Sequence, residues 1–219
     1  MFIRFIISVV LLVVSATCSA ASSKIGILVF EGFLTSDVTA PVEVFGAASK
    51  KSWFSSYEVV VISTSKNKTV KSEEGLTVVA DYTIYDALEL DVLLVPSAYD
   101  MDDVVENKDI TSFIHKQSQS ASWVASNCSG SMLLGEAGVL KGKKATTWAG
   151  GESGLKRAYP DIDVQINQNV VIDEKVITSN GGAVSYQAAL ELLAKLSSEK
   201  FATEVEKAIQ FDRLKTVFQ

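Results

Sequence analysis

Short, nearly uninterrupted apolar runs alternate along this chain with segments whose apolar residues recur at helical spacing, and that alternation leaves few architectures open. Residues 24–30 (KIGILVF) and 91–95 (DVLLV) are apolar on both alternating faces, as a parallel strand covered on both sides has to be. Residues 58–62, 76–80, 122–126, 144–147 and 175–178 read as further strands, with a polar hairpin between 161 and 174. Helical spacing marks 37–49, where Val38, Val42, Phe45 and Ala48 share a side, then 102–118, 129–138, 183–196 and 201–214. The pattern predicts a doubly wound α/β sandwich with a mainly parallel sheet and helices on both faces. No internal repeat or low-complexity linker divides it, so residues 21–219 are expected to form one domain. In such sheets ligands bind beyond the carboxyl ends of the strands.

The amino end does not belong to this pattern. Arg4 precedes an apolar run over 5–14, and small residues follow: Ser15, Ala16, Thr17, Cys18, Ser19 and Ala20. This is the order of a secretory signal peptide, and the run is shorter than the ~20 residues a membrane-spanning helix needs. Lipidation at Cys18 and an uncleaved anchor are the alternatives. Cleavage after Ala20 would deliver a soluble product to the periplasm or the exterior, with no membrane attachment. A formal charge of -6 and the lack of a basic stripe argue against nucleic-acid binding.

The two cysteines are Cys18 and Cys128, so leader cleavage leaves one thiol and no possible intramolecular disulfide. A single thiol in an oxidising compartment is either buried and inert or retained for its reactivity. Its setting favours the second. Trp123 to Ser126 reads as a strand, Asn127 to Gly130 as a turn, and Ser131 to Gly135 as a helix. A side chain on so sharp a strand-to-helix turn, a nucleophile elbow, is held above the sheet on strained backbone. The helix amino end beneath it is expected to favour the thiolate and lower the pKa of Cys128.

The segment 125–147 (ASNCSGSMLLGEAGVLKGKKATT) closely resembles the elbow block of the ThiJ/PfpI superfamily, whose members have a class I glutamine amidotransferase-like, flavodoxin-type fold. Two more blocks agree: residues 30–45 (FEGFLTSDVTAPVEVF) and 178–183 (TSNGGA). The likeness runs from about Lys24 to the carboxyl end. It is greatest to the isonitrile hydratase-like branch and to the amidotransferase-like domains of AraC-type regulators. The resemblance implies that Cys128 is the nucleophile and that Asp37 is the acidic partner brought to it after the first strand. A helix N-cap is the simpler role open to Asp37, while Glu43 reads as a structural or solvent-facing residue. Backbone around Ser129 and Ser97 would stabilise an oxyanion, and Tyr99, Trp148 and Gly181 would line the pocket. Homodimers are common in the superfamily.

The chain also departs from the family pattern. Many relatives have histidine directly after the cysteine, where this sequence has Ser129, and others have it after a Thr-Thr pair, where this one has Trp148. The only histidine, His115, falls inside the helix expected over 102–118. A Cys–His–acid triad is therefore not expected from one chain. The family's Pro-Gly-Gly loop is Pro96-Ser97-Ala98 here, which reshapes the expected oxyanion hole. One histidine and one cysteine offer no metal-ligand set, no phosphate-binding glycine loop is present, and no cofactor is expected. Two functions follow: a cysteine-dependent hydratase or hydrolase of small molecules, of isonitrile hydratase type, or a non-enzymatic ligand-binding or redox-sensing module. A peptidase or deglycase is weakened by the missing histidine.

Overall fold

The structure is a computed structural model that describes residues 22–52 and 56–214. The leader, Cys18 and the cleavage point lie outside them. Among the described residues, eleven strands and seven helices follow in order. The amino half holds β1 (Ser23–Val29), α1 (Thr35–Lys51), β2 (Tyr57–Ser63), β3 (Thr69–Lys71), β4 (Thr77–Val79), β5 (Tyr82–Thr83) and β6 (Val92–Val95). The middle holds α2 (Asp102–Glu106), α3 (Lys108–Ser120), β7 (Trp123–Asn127), α4 (Gly130–Glu136), β8 (Lys144–Ala145) and α5 (Glu152–Ala158). The chain continues through β9 (Asp163–Val164), β10 (Val170–Asp173), β11 (Val176–Ser179), α6 (Val184–Leu196) and α7 (Glu199–Ala208).

The main sheet runs β10-β11-β7-β6-β1-β2-β5, and every neighbouring pair is parallel except β10 with β11. All four residues of β6 and of β11 are buried; β6 is accordingly apolar throughout, whereas β11 ends in Thr178 and Ser179, whose hydroxyls are hydrogen-bonded to the Thr146 N–H and to Asn127. Helices α1, α6 and α7 pack together as one group, and α2, α3 and α4 as another. Between them they cover the sheet of a flavodoxin-like α/β sandwich. The chain leaves β1 toward β2 on one side and returns to β6 on the other. The carboxyl ends of β1 and β6 therefore flank the topological switch point, where ligands gather in such folds.

Several elements differ from the sequence reading, each for a local reason. The helix expected over 102–118 is two helices, because the Asn107 side chain accepts the N–H groups of Asp109 and Ile110 and caps α3. The strand expected over 76–80 lies outside the main sheet as a surface hairpin, β3 with β4, closed by a turn at Gly75 with φ +96°. Residues 144–147 shrink to β8, which pairs only with β9. The hairpin expected between 161 and 174 forms one element later, between β10 and β11, with Glu174 at φ 50° in its turn. The last helix stops at Ala208, and Gln210 at φ 64° precedes a single 3-10 turn at Phe211–Arg213. On α1 the buried face takes Val44 with Val38, Phe45 and Ala48 and leaves Val42 exposed.

Candidate active site

Cys128 stands between β7 and α4 with φ 50°, a left-handed conformation that costs a side-chain-bearing residue about 1–3 kcal/mol. Its neighbours hold it there. Its N–H donates to the Ser179 carbonyl at 2.9 Å, and its own carbonyl accepts from Thr147 Oγ1 at 3.0 Å and Ser131 Oγ at 3.1 Å. Two glycines make the close approach possible. A Cβ on Gly130 would stand 2.5 Å from the Val95 carbonyl oxygen, so α4 rides directly on the end of β6. A Cβ on Gly181 would stand 2.4 Å from Cys128 Cβ and 3.0 Å from Asp37 Oδ1.

Asp37 reaches the elbow from the first turn of α1. That helix begins two residues before the expected start, with Leu34 as its N-cap, so the Asp37 carboxylate is free of capping. Loop pairing sets its height: Phe33 bridges Ala98, and the Leu34 N–H donates to the Ser97 carbonyl at 2.8 Å. The side chain is 1% exposed. Oδ2 accepts the Ser97 N–H at 3.2 Å and the Ser97 hydroxyl at 2.5 Å. Oδ1 accepts the Gly182 N–H at 3.0 Å and the Ser185 hydroxyl at 2.9 Å. Asn127 completes the frame, its Nδ2 donating to the Asp37 carbonyl at 3.1 Å while its Oδ1 accepts the Ser179 hydroxyl at 2.6 Å.

Burial raises the Asp37 carboxyl above the ordinary carboxylate value, against the pull of the bonds from Ser97, Ser185 and Gly182. Burial also pushes the Cys128 thiol up. A hydrogen bond from Ser97 opposes this, the charge of Asp37 adds to it, and bonds from Ser129 oppose it again. The net direction is upward. The lowered pKa expected from the helix amino end is therefore not what the surroundings produce: α4 has only seven residues, and desolvation outweighs its donors.

The structure brings Asp37, Ser97, Cys128, Ser129 and Gly181 together, but not all in their expected roles. The Ser97 N–H is held by Asp37, and the Ala98 N–H points at Met101 Sδ at 3.2 Å. The loop after β6 thus has neither of these donors free for an oxyanion. The Ser129 hydroxyl donates to the Ala98 carbonyl at 3.0 Å, which leaves the expectation for the Ser129 backbone N–H untouched. Tyr99 is 77% exposed and so is not enclosed in a pocket, and half-buried Trp148 packs over Gly151. His115 bonds the Ala137 carbonyl through Nδ1 at 3.0 Å on α3, and Glu43 accepts the Tyr186 hydroxyl at 2.6 Å. A cavity of about 410 Å³ opens at the carboxyl ends of β1 and β2 and reaches Ala98, but Cys128 does not line it. Sequence reasoning misses Ser185, for which the only signal is the third block, ending two residues before it. Among the described residues no group of three or more His, Cys, Asp or Glu side chains could hold a metal ion, and no helix is long and apolar enough to cross a membrane.

Residues 23–195 match the sequence pattern of the DJ-1/PfpI family. The chain belongs to that family. This DJ-1/PfpI chain is 29% identical to an isonitrile hydratase of Pseudomonas putida over 195 residues, covering 86% of this chain and 78% of that one. It is 29% identical to protein/nucleic acid deglycase 2 of Escherichia coli over 162 residues, covering 72% and 88%. Among solved structures, a ThiJ/PfpI family protein from Pseudomonas syringae superposes with a TM-score of 0.78 at 25% identity, covering 89% of this chain and 77% of that one. An AraC family transcriptional regulator from Pseudomonas putida shares the fold, with a TM-score of 0.76 at 18% identity over 85% and 99% of the two chains.

Proposed function

We propose that this DJ-1/PfpI chain is an exported, cysteine-dependent hydratase that adds water to the terminal carbon of a small isonitrile-like compound. The observation that carries the reading is a buried acid and a half-buried thiol that both lie against the Gly181 position, in a site without a histidine, with burial pushing both toward their protonated forms. Addition to an isonitrile needs a nucleophile and a proton at the same carbon, and a thiol that keeps its proton brings both. The sulfur bonds to the carbon, and the thiol proton ends on that carbon as a thioimidate forms. Water then adds to the carbon with a proton going to nitrogen, the C–S bond breaks, and the hydroxyl proton returns to sulfur as the formamide leaves. In this reading Asp37 holds the proton between these steps.

The engaged N–H groups of Ser97 and Ala98 count against peptidase or deglycase chemistry, which develops an acyl oxyanion. The raised thiol counts against redox sensing, which depends on thiolate character. The likeness to the isonitrile hydratase supports the substrate class, and residues 1–20 support export.

The test is incubation of the purified protein with an aliphatic isonitrile, with formamide followed by NMR. Turnover is expected in the wild type, none in Cys128→Ala, and a loss of at least about a hundredfold in Asp37→Asn. No formamide above the Cys128→Ala background would overturn the assignment.

A further inference from the structure

The chemistry of Cys128 leaves unused the cavity of about 410 Å³ at the carboxyl ends of β1 and β2. Part of its lining is apolar, with Phe30, Val70, Ala98 and Ile110 all buried. The rest is strongly acidic. Glu31 and Glu73 come from the turn after β1 and from the β3–β4 hairpin, Asp100 and Asp103 from the loop after β6 and from α2, and no lysine or arginine lines the space. None of these four carboxylates takes part in an ion pair among the described residues. The lysines of the adjoining segment 66–71 are engaged elsewhere. Lys66 lies over the Tyr85 ring and Lys68 over the Tyr82 ring, Lys68 also donates to the Asp81 carbonyl at 2.6 Å, and Lys71 Cε lies 3.9 Å from where a Cβ on Gly75 would stand.

A second feature separates this cavity from a merely solvated acidic face. Thr64 lines it and is only 7% exposed, yet the Thr64 hydroxyl has no hydrogen-bond partner among the described residues. Its neighbours are satisfied: the Thr64 N–H donates to the Val29 carbonyl at 3.0 Å, and the Ser63 and Ser65 hydroxyls donate to the Asn67 carbonyl at 2.6 and 3.1 Å. The buried side-chain oxygens closed off without a partner are those of Gln117, Ser126 and Thr146. The Thr64 hydroxyl is not closed off, and the cavity is the surface on which this residue opens. An unpaired hydroxyl in a buried residue is unfavourable until a ligand pairs it.

We infer that this cavity binds a small primary ammonium compound with an apolar body. The ammonium group donates to Thr64 Oγ1 within the field of the carboxylates, and the carbon chain lies against Phe30, Val70 and Ile110. Four carboxylates without a cation of their own favour a positive ligand and reject an anionic one. A metal ion fits poorly, because among the described residues no three His, Cys, Asp or Glu side chains come together as a ligand set. Carboxylates too dispersed to converge on one ion still surround an extended organic cation. A primary ammonium also brings the N–H donors that a lone hydroxyl acceptor needs, which a quaternary ammonium lacks. The site is distinct from the elbow, and the inference does not rest on the hydratase reading.

The test is NMR titration of the isotope-labelled protein with n-butylammonium chloride at neutral pH and constant chloride, where the amine is fully charged. Saturable shifts are expected at the amides of Gly32, Thr64 and Ala98, with butan-1-ol binding at least about tenfold more weakly. Thr64→Val keeps the shape of the side chain and removes the hydroxyl, so affinity should fall roughly ten- to a hundredfold. Its melting temperature should not fall, since the hydroxyl has no partner to lose; that separates loss of the ligand contact from a folding defect. Glu73→Gln with Asp103→Asn should weaken binding about two- to thirtyfold, because exposed carboxylates each contribute little, and added salt should weaken it further. No saturable shift at these amides would overturn the inference, as would equal affinity for butan-1-ol or unchanged affinity in Thr64→Val. Calcium chloride shifting the same amides at lower concentration than the amine would also overturn it, in favour of a metal site.

Discussion

Replacing Gly181 with alanine puts a methyl carbon 2.4 Å from Cys128 Cβ, 2.9 Å from the Cys128 nitrogen and 3.0 Å from Asp37 Oδ1, where a carbon–carbon contact is ordinarily about 3.5–4.0 Å. The Cys128 atoms belong to or are bonded to the backbone, and Asp37 Oδ1 is held by the Gly182 N–H and the Ser185 hydroxyl. Gly181 also has φ +76°, which costs an alanine about 1–2 kcal/mol whatever the space around it. Overpacking of this kind adds about 1–3 kcal/mol, so the substitution should cost about 2–5 kcal/mol in all. The neighbouring Gly182 supplies the control. Its φ is +59° but a Cβ there meets nothing within 4 Å, so Gly182→Ala carries only the backbone cost. Urea denaturation of the two variants and the wild type measures both quantities, provided the m-values agree. Gly181→Ala is expected to exceed Gly182→Ala by about 1–3 kcal/mol, and its Cys128 should alkylate at an altered rate because the thiol has been displaced. If the two variants cost the same to within about 0.5 kcal/mol, the turn after β11 does not press on the elbow, and the close packing of Gly181 against Cys128 and Asp37 is wrong.

The pKa directions give two further tests. Burial raises the folded-state pKa of Asp37, so its contribution to stability is fully present below the unfolded value near 3.9 and is lost as pH rises through the folded value. Stability of the wild type relative to Asp37→Asn should therefore decline as pH rises from about 4 and then level off. A difference independent of pH would refute the raised value. Iodoacetamide labelling of Cys128 should have its main midpoint above the ~8.5 of a free thiol, and Asp37→Asn should lower it by removing a like charge. A midpoint below that of a free thiol would restore the helix-end expectation. Finally, amino-terminal sequencing of the native protein from the periplasm or medium should begin at Ala21, and an intact Met1 in the cytosol would refute export.

The parts of the fold that can be read from sequence are those whose burial leaves a one-dimensional trace. β1 and β6 are apolar because both faces are covered, and Cys128 stands out because a buried strand runs into Ser-Gly and a helix pattern. Asn107 fits a helical pattern as well as it caps one, and only its backbone torsion decides which, so α2 and α3 read as one element. Strand β4 has ordinary strand composition and β8 is a two-residue Lys-Ala pair, and nothing local says which sheet either joins. At the site, residue identity points to Asp37 and Cys128 but not to their relation. That relation depends on Ser97 and Ser185, which are 60 and 148 positions from Asp37, and on a loop whose N–H groups turn inward rather than toward a ligand. The upward thiol shift is hidden for the same reason, because desolvation is a property of the assembled surroundings.

The spacing of the Asp37 donors also sets an order of events during synthesis. α1 leaves the ribosome early, yet Gly182 and Ser185 emerge 145 and 148 residues after Asp37. Until they arrive, docking α1 would bury a carboxylate with half its donors missing, and an unsatisfied buried charge is strongly unfavourable. The nascent amino-terminal half is therefore expected to hold α1 back from the sheet, with Val38, Val44 and Phe45 uncovered, until α6 emerges. On this account the Asp37 carboxylate would act as a checkpoint on chain completion. A chain truncated before Ser185 should present this apolar helix face to chaperones and proteases instead of a finished site.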